Sequence, residues 1–111
     1  MHTPKEIPMK TTWMMAALTL AAASAASAQT PDALYLKSLA ATCANCHGTN
    51  GKAVDGSSVP TIAGMPRDYL VAQLKAFKSG ARPATVMHQL SKGYSDAQIE
   101  QISTYFAAQK K

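Results

Sequence analysis

Cys43, Cys46 and His47 are the residues of the sequence whose types and spacing most clearly point to chemistry. Together they form the pattern C-x-x-C-H, which is typical of proteins that attach c-type haem. Two thiols at this spacing can each add to one of the two haem vinyl groups, and the adjacent imidazole is then held beneath the iron. The motif therefore predicts one covalent haem c, with Cys43 and Cys46 as thioether residues and His47 as an axial iron ligand.

Three other interpretations of these residues are weaker. A thioredoxin-type dithiol needs a βαβ setting, and no segment of the sequence shows the two-residue alternation of a strand. A zinc site would have His88 as its plausible fourth ligand, and the neighbouring Cys46 and His47 fit one tetrahedron poorly. A disulfide between the two cysteines would close too small a loop to stabilise the fold much.

A sixth iron ligand decides what such a haem does, and a methionine in that position suits electron transfer. Downstream of residue 28 the sequence has only Met65 and Met87. Met65 precedes Pro66 at the entry of a predicted helix, where apolar packing is ordinary. Met87 lies in a polar segment that offers it no helical face, so we favour Met87 and expect its neighbour His88 at the surface. Met65 and His88 stay open as alternative ligands.

The first 28 residues have the three parts of a secretory signal. Two lysines precede an uncharged apolar stretch, and residues 26–28 (ASA) form a small-residue cleavage site. The strongly apolar part is shorter than the about 20 residues that a membrane span needs. We therefore predict cleavage before Gln29, no membrane span in the mature chain, and a periplasmic location. Met1 and Met9 are both candidate starts.

The remaining residues, 29–111, are predicted to form one small monohaem domain. The whole sequence has a formal net charge of +5, yet it contains only two arginines and no basic run longer than two lysines. This pattern does not indicate a nucleic-acid-binding protein. The excess of positive charge favours docking to acidic redox partners. The candidate docking residues around the haem edge are Lys52, Lys75, Lys78, Arg82 and Lys92.

Three main helices are predicted for this domain. The first begins near Pro31 and carries an apolar stripe that ends at Cys43, so the motif lies at the end of the helix. The second spans about residues 67–78 and stops at Gly80. Each helix has apolar side chains at helical spacing on one face, which predicts a helical core.

The third helix is predicted to begin at Ser95, which forms a capping box with Gln98. The segments 44–64 and 81–94 are predicted to be loops. Loops of this length inside a compact domain are usually functional. A chain this small also rarely builds a sufficient core alone, so we expect the haem to fill the space between the helices.

The chain from about residue 39 to residue 110 resembles a class I c-type cytochrome, and within that class the small haem subunit of flavocytochrome c, the sulfide dehydrogenase. The resemblance lies in residues 40–49 (AATCANCHGT), 77–80 (FKSG), 85–87 (TVM), 92–95 (KGYS) and the aromatic pair 105–106. The segment 60–66 (PTIAGMP) is also similar to periplasmic dihaem cytochromes. Those proteins have a second C-x-x-C-H, which this sequence lacks.

The resemblance implies an all-α, small class I cytochrome c fold, with three main helices and long loops around one covalently bound haem. It implies His47 and Met87 as the two axial ligands. It also implies that the Pro60 carbonyl accepts the ring N–H of His47, which fixes the tautomer.

The same resemblance implies an electron-transfer role without catalysis by the chain itself. A flavoprotein subunit would oxidise sulfide at its FAD, and the haem would pass the electrons to a downstream cytochrome or oxidase. A free-standing monohaem carrier between periplasmic redox partners is the alternative. A haem sensor or peroxidase is disfavoured, because the sequence offers no distal acid–base pair.

Overall fold

A computed structural model describes residues 31–111 of the chain. In this part of the protein every regular element is a helix, and no strand is present. The predicted secretory signal, residues 1–28, lies outside the described residues. No helix between residues 31 and 111 combines the length and the apolar character needed to cross a membrane.

The four helices of the described chain are α1 (Pro31–His47), α2 (Arg67–Ser79), α3 (Met87–Lys92) and α4 (Asp96–Ala107). A short 3-10 turn, Thr49–Gly51, follows α1 directly. α2 packs against α3 and α4, and α1 packs against α4. The three predicted main helices are thus α1, α2 and α4, and the C-x-x-C-H motif lies at the end of α1 as expected.

The segment 81–94 is not the continuous loop that the sequence predicts. Its central part forms α3, in which the backbone amides of Gln89 and Leu90 donate to the Val86 carbonyl at 2.9 and 3.2 Å. A helix of six residues contains too few turns for an apolar repeat to be visible in the sequence. Its formation depends on packing against α2, because an isolated helix of this length is unstable.

Two helix ends confirm the signals in the sequence. At the start of α4, the Ser95 side chain accepts the Gln98 backbone N–H at 3.2 Å, and the Gln98 side chain accepts the Ser95 N–H at 2.9 Å. This reciprocal pair is the predicted capping box. α2 ends at Gly80, whose φ of 83° lies in the left-handed region that glycine adopts without a Cβ clash.

The core is a small cluster shared by three helices. Ala40 of α1, Leu70 of α2, and Ile102 and Phe106 of α4 are buried together. Cys43 is partly buried and packs against the same cluster. The apolar stripes predicted for the three helices therefore face one another, and the first cysteine of the motif is part of that packing.

Two serines are buried with unpaired hydroxyls in the described chain. Ser91 and Ser103 have no exposed surface, and neither Oγ atom has a hydrogen-bond partner among the described residues. A buried hydroxyl without a partner costs free energy. We therefore predict that Ser103→Ala raises the free energy of unfolding by about 1 kcal/mol. Guanidinium unfolding followed by circular dichroism measures this change.

Ser38→Ala is the matched control for that substitution. Ser38 also lies in a helix, but it is exposed and its hydroxyl donates to the Tyr35 carbonyl at 2.8 Å. Both substitutions replace serine by alanine within a helix, so the gain from helix propensity is the same in both. The difference between their changes in the free energy of unfolding therefore measures the effect of the buried hydroxyl. A gain at Ser103 no larger than that at Ser38 would contradict the prediction.

Candidate functional site

The two cysteines of the motif lie in the last turns of α1. They are three positions apart, so both thiols project from the same side of the helix. Cys43 is half-buried, Cys46 is exposed, and the two thiols are free. Burial raises the pKa of the Cys43 thiol, and the neighbouring Cys46 acts in the same direction, whereas a hydrogen bond from Thr42 opposes both. The end of α1 thus presents two thiols to one flank, as attachment of a single group at two points requires.

His47 is held in one orientation by the loop that follows α1. Its Nδ1 lies 2.7 Å from the carbonyl oxygen of Pro60, and the residue is only 9% exposed. A carbonyl oxygen can only accept, so Nδ1 carries the proton and Nε2 keeps its lone pair. An imidazole fixed in this tautomer is suited to bind a metal through Nε2.

The loop that carries Pro60 is closed by backbone hydrogen bonds. The carbonyl of Gly51 accepts the amides of Ile62 and Ala63 at 2.8 and 3.0 Å. Gly51 itself is buried, and a Cβ at this position would lie 2.7 Å from the side chains of Ile62 and Phe106. The close approach of these segments returns the chain to the end of α1 and brings the Pro60 carbonyl to the His47 ring.

The turn immediately after His47 depends on Gly48. Its φ is +85°, and a Cβ there would lie 1.9 Å from the carbonyl oxygen of Lys52. Two residues later Asn50 also has a positive φ of 54°, and its Oδ1 accepts the hydroxyl of Tyr105 at 2.8 Å. Only glycine fits the first of these positions, so the residue after the motif histidine is dictated by backbone geometry.

Met87 is the first residue of α3, and that helix packs on α2. The surface position predicted for His88 is wrong. His88 is partly buried, and its Nδ1 is buried without a hydrogen-bond partner among the described residues. Successive helical residues point about 100° apart, so Met87 and His88 face different directions. Met65 packs against the core cluster.

Three of the five cations predicted to surround the haem edge are engaged within the protein. Lys75 and Lys78 form ion pairs with carboxylates of α4 at 3.3 and 2.9 Å. The guanidinium of Arg82 lies 4.6 Å from the centre of an α2 phenylalanine ring. Lys52 and Lys92 form no ion pair with any described residue. The number of candidate docking cations therefore overstates how many of them are free of contacts within the protein.

The structure also contains a contact that sequence reasoning missed. The hydroxyls of Thr42 and Tyr94, 52 positions apart in the sequence, lie 2.6 Å from each other. Thr42 directly precedes the first motif cysteine, and Tyr94 lies in the KGYS segment, which was noted only as part of a family resemblance. Periodicity and motif spacing are local signals, so they do not reveal a side-chain pair between distant segments.

The donor set fits haem better than it fits the alternatives. In the part of the chain that the structure describes, no group of three or more His, Cys, Asp or Glu side chains is placed to hold a metal ion, which argues against zinc. The strand that a thioredoxin-type site needs is also missing from residues 31–111. Two thiols on one helix flank and one fixed imidazole nitrogen are what a c-type haem requires.

Comparison with known proteins agrees with this geometry. Residues 36–110 match the family model described as Cytochrome c. The chain belongs to the cytochrome c family. Membership implies a covalent haem c, for which Cys43 and Cys46 supply the expected cysteines. Its relatives include a cytochrome c4 and the cytochrome subunit of a dehydrogenase.

Two relatives show which kinds of cytochrome this chain is similar to. The cytochrome subunit of sulfide dehydrogenase from Chlorobaculum tepidum is 41% identical over 68 residues, which cover 61% of this chain and 60% of that protein. The thiosulfate dehydrogenase electron acceptor of Thiomonas intermedia is 39% identical over 71 residues, or 64% of this chain and 33% of that protein. The cytochrome thus spans less than two thirds of the length of either relative.

A solved structure supports the fold assignment. The cytochrome c4 of Acidithiobacillus ferrooxidans is 32% identical and superimposes with a TM-score of 0.56, covering 60% of this chain and 38% of that one. The predicted class I cytochrome c fold and the predicted family are therefore confirmed.

Substitution of Gly48 tests the turn after the motif. We predict that Gly48→Ala sharply lowers the yield of folded cytochrome with covalent haem, because the new Cβ collides with backbone and strains a left-handed residue. Haem staining on a denaturing gel and the melting temperature measure the effect. Gly56→Ala is the matched control, since Gly56 has a φ of +80° with nothing within 4 Å of an added Cβ. Equal losses in the two variants would show that the collision at Gly48 is unimportant.

Proposed function

We propose that this cytochrome transfers electrons through one haem c that is bound by Cys43 and Cys46 and ligated by His47 and Met87. The observation that carries the proposal is the 2.7 Å hydrogen bond from His47 to Pro60. It fixes the proton on Nδ1 and leaves Nε2 as the only ring nitrogen with a lone pair to donate. The same helix end presents both thiols, so attachment and ligation take place at one point of the fold.

The choice of Met87 as second ligand rests on where the two mature methionines lie. Met65 packs against the core cluster, where its side chain contributes apolar contacts. Met87 is half-buried at the start of α3, outside that cluster. A bound haem supplies a one-electron iron couple, and a thioether ligand raises its potential. Histidine on one side and methionine on the other suit a carrier that performs no bond chemistry.

The proposed place of this carrier is the haem subunit of a complex in which an FAD flavoprotein oxidises sulfide. The 41% identity with a cytochrome subunit of sulfide dehydrogenase supports this assignment. Electrons would leave the haem for a downstream cytochrome or oxidase. Lys52 and Lys92, which form no ion pair with described residues, are the cations best able to steer an acidic partner.

The proposed location is the periplasm. Residues 1–28 have the pattern of a cleaved secretory signal, and residues 29–111 would then form the working monohaem domain. N-terminal sequencing of the purified cytochrome, with Gln29 as the expected first residue, tests it.

A free-standing carrier is the second candidate. It is supported by the 39% identity with a thiosulfate dehydrogenase electron acceptor and by the structural similarity to a cytochrome c4. The site would work in the same way, and only the partners would differ. Contacts with several partners would then be small and transient.

Replacement of the two methionines tests the ligand assignment. We predict that Met87→Ala abolishes the weak near-infrared sulfur-to-iron band of the oxidised protein, because its thioether leaves the iron. Met65→Leu is the matched control and keeps the band, since leucine fills a similar apolar space. A band that persists in Met87→Ala and disappears in Met65→Leu would assign the ligand to Met65.

Co-purification from the native source tests the partner. We predict that the full cytochrome, isolated at low ionic strength, elutes with a protein that shows flavin absorbance, and that high salt separates the two because the contact involves exposed charges. Size-exclusion chromatography with detection at flavin and haem wavelengths measures this. A cytochrome that elutes alone at micromolar concentration would instead favour the free-standing carrier.

A further inference from the structure

We propose that Tyr94 and Lys78 are positioning residues for Met87: their hydrogen bonds fix the end of α3 to α1 and α2 and so oppose the departure of Met87 from the haem iron. The inference rests on the proposed ligation by Met87. It concerns two residues outside the C-x-x-C-H motif, and neither of them is an iron ligand itself.

The helix that begins with Met87 depends on its neighbours for its position. α3 has six residues, and a helix of this length is unstable in isolation. On its N-terminal side, residues 83–85 form no hydrogen bond with any residue that the structure describes. The position of Met87 is therefore determined by the packing of α3 on α2 and by the contacts at the C-terminal end of α3.

The backbone at the C-terminal end of α3 includes Tyr94. The amide of Gly93 donates to the Leu90 carbonyl at 3.1 Å, and the amide of Tyr94 donates to the Ser91 carbonyl at 3.3 Å. These two bonds satisfy carbonyl groups that a helix end otherwise leaves without a partner. Tyr94 is thus hydrogen-bonded to α3, and a displacement of the helix also displaces Tyr94.

The Tyr94 side chain joins this end of α3 to α1. Its ring packs against the core cluster, and its hydroxyl lies 2.6 Å from Thr42 Oγ1. The single proton of the Thr42 hydroxyl is donated to the Leu39 carbonyl at 3.1 Å, so Tyr94 donates and Thr42 accepts in the shorter contact. Because Thr42 directly precedes Cys43, the bond connects α3 to the part of α1 that carries the cysteines.

Lys78 joins the same residue to α2. Its ammonium donates to the Tyr94 carbonyl oxygen at 2.8 Å and to Asp96 Oδ1 at 2.9 Å. The bond to the carbonyl is partly buried, and a hydrogen bond from a charged donor is stronger than one between neutral groups. Tyr94 is therefore held through its side chain by α1 and through its backbone by α2.

Both bonds are expected to affect how easily the iron loses its methionine. An external ligand can bind only in molecules from which the thioether has departed, so its apparent affinity is proportional to the population of that open state. We infer that Met87 departs together with α3, because this short helix is fixed mainly by its packing and by its C-terminal end. Each hydrogen bond at Tyr94 then makes the open state rarer.

Lys78→Met removes the ammonium and provides the main test. The oxidised, haem-bound protein is titrated with imidazole, and loss of the near-infrared sulfur-to-iron band reports displacement of the methionine. We expect Lys78→Met to bind imidazole about tenfold more tightly than the wild type, because a hydrogen bond from a charged donor is lost. Lys75→Met is the matched control, since Lys75 lies on the same helix and pairs with Glu100 of α4 at 3.3 Å. Its affinity for imidazole should equal that of the wild type.

Tyr94→Phe tests the other bond, because it removes the hydroxyl and keeps the ring. We expect it to bind imidazole about fivefold more tightly than the wild type, since a bond between neutral groups is lost. Tyr35→Phe is its matched control. The Tyr35 hydroxyl accepts the side-chain N–H of Gln98 at 3.1 Å and so links α1 to α4 without involving the end of α3. We expect both tyrosine variants to melt at a lower temperature and only Tyr94→Phe to change the affinity for imidazole.

The possible outcomes are distinct. The proposal is overturned if either Lys78→Met or Tyr94→Phe binds imidazole no more tightly than its control, because the contact would then stabilise the fold without holding the ligand. If Lys78→Met does not fold, the comparison of Tyr94→Phe with Tyr35→Phe decides in the same way. Failure of the proposed function gives another result: the wild type would then bind imidazole as tightly as Met87→Ala, since Met87 would not compete for the iron.

Discussion

The hydrogen bond from His47 to the Pro60 carbonyl is the contact on which the arrangement of the site depends. It forms only if the loop after α1 returns to the end of that helix. The return depends on the Gly51 carbonyl, which accepts two amides from the far side of the loop. Gly51 in turn lies so close to Phe106 that a side chain would not fit. The packing of Phe106 in α4 against this loop therefore also determines the orientation of the His47 imidazole.

A second set of contacts holds α1 itself in place. Tyr35 links its first turns to the capping box of α4, and Tyr94 links Thr42 to the segment between α3 and α4. The helix that carries the cysteines is thus fixed near both ends against the same neighbour. A redox site benefits from such rigid support, because precise sites are those whose supporting residues are themselves locked by packing and hydrogen bonds.

Ion pairs within the structure change what can be concluded from the number of lysines. The excess of lysine predicts docking to acidic partners, yet Lys75 and Lys78 hold α2 against the carboxylates of α4. Exposed ion pairs of this kind stabilise a fold only modestly. They engage two of the five candidate docking cations, and Lys52 and Lys92 form no ion pair among the described residues. Fewer lysines are therefore free of ion pairs than their number in the sequence implies.

The sequence by itself determined the features that depend on short spacing: the C-x-x-C-H motif, the apolar stripes of the three main helices, the capping box at Ser95 and the stop at Gly80. Each of these features depends on residues that are close together in the sequence, because helical periodicity and helix-end signals act over a few positions. Only the tertiary structure decided the formation of α3, the partial burial of His88, the pairing of the lysines and the contact of Tyr94 with Thr42. These features depend on contacts between segments that are distant in the chain. Such contacts form on packing and produce no pattern among neighbouring residues.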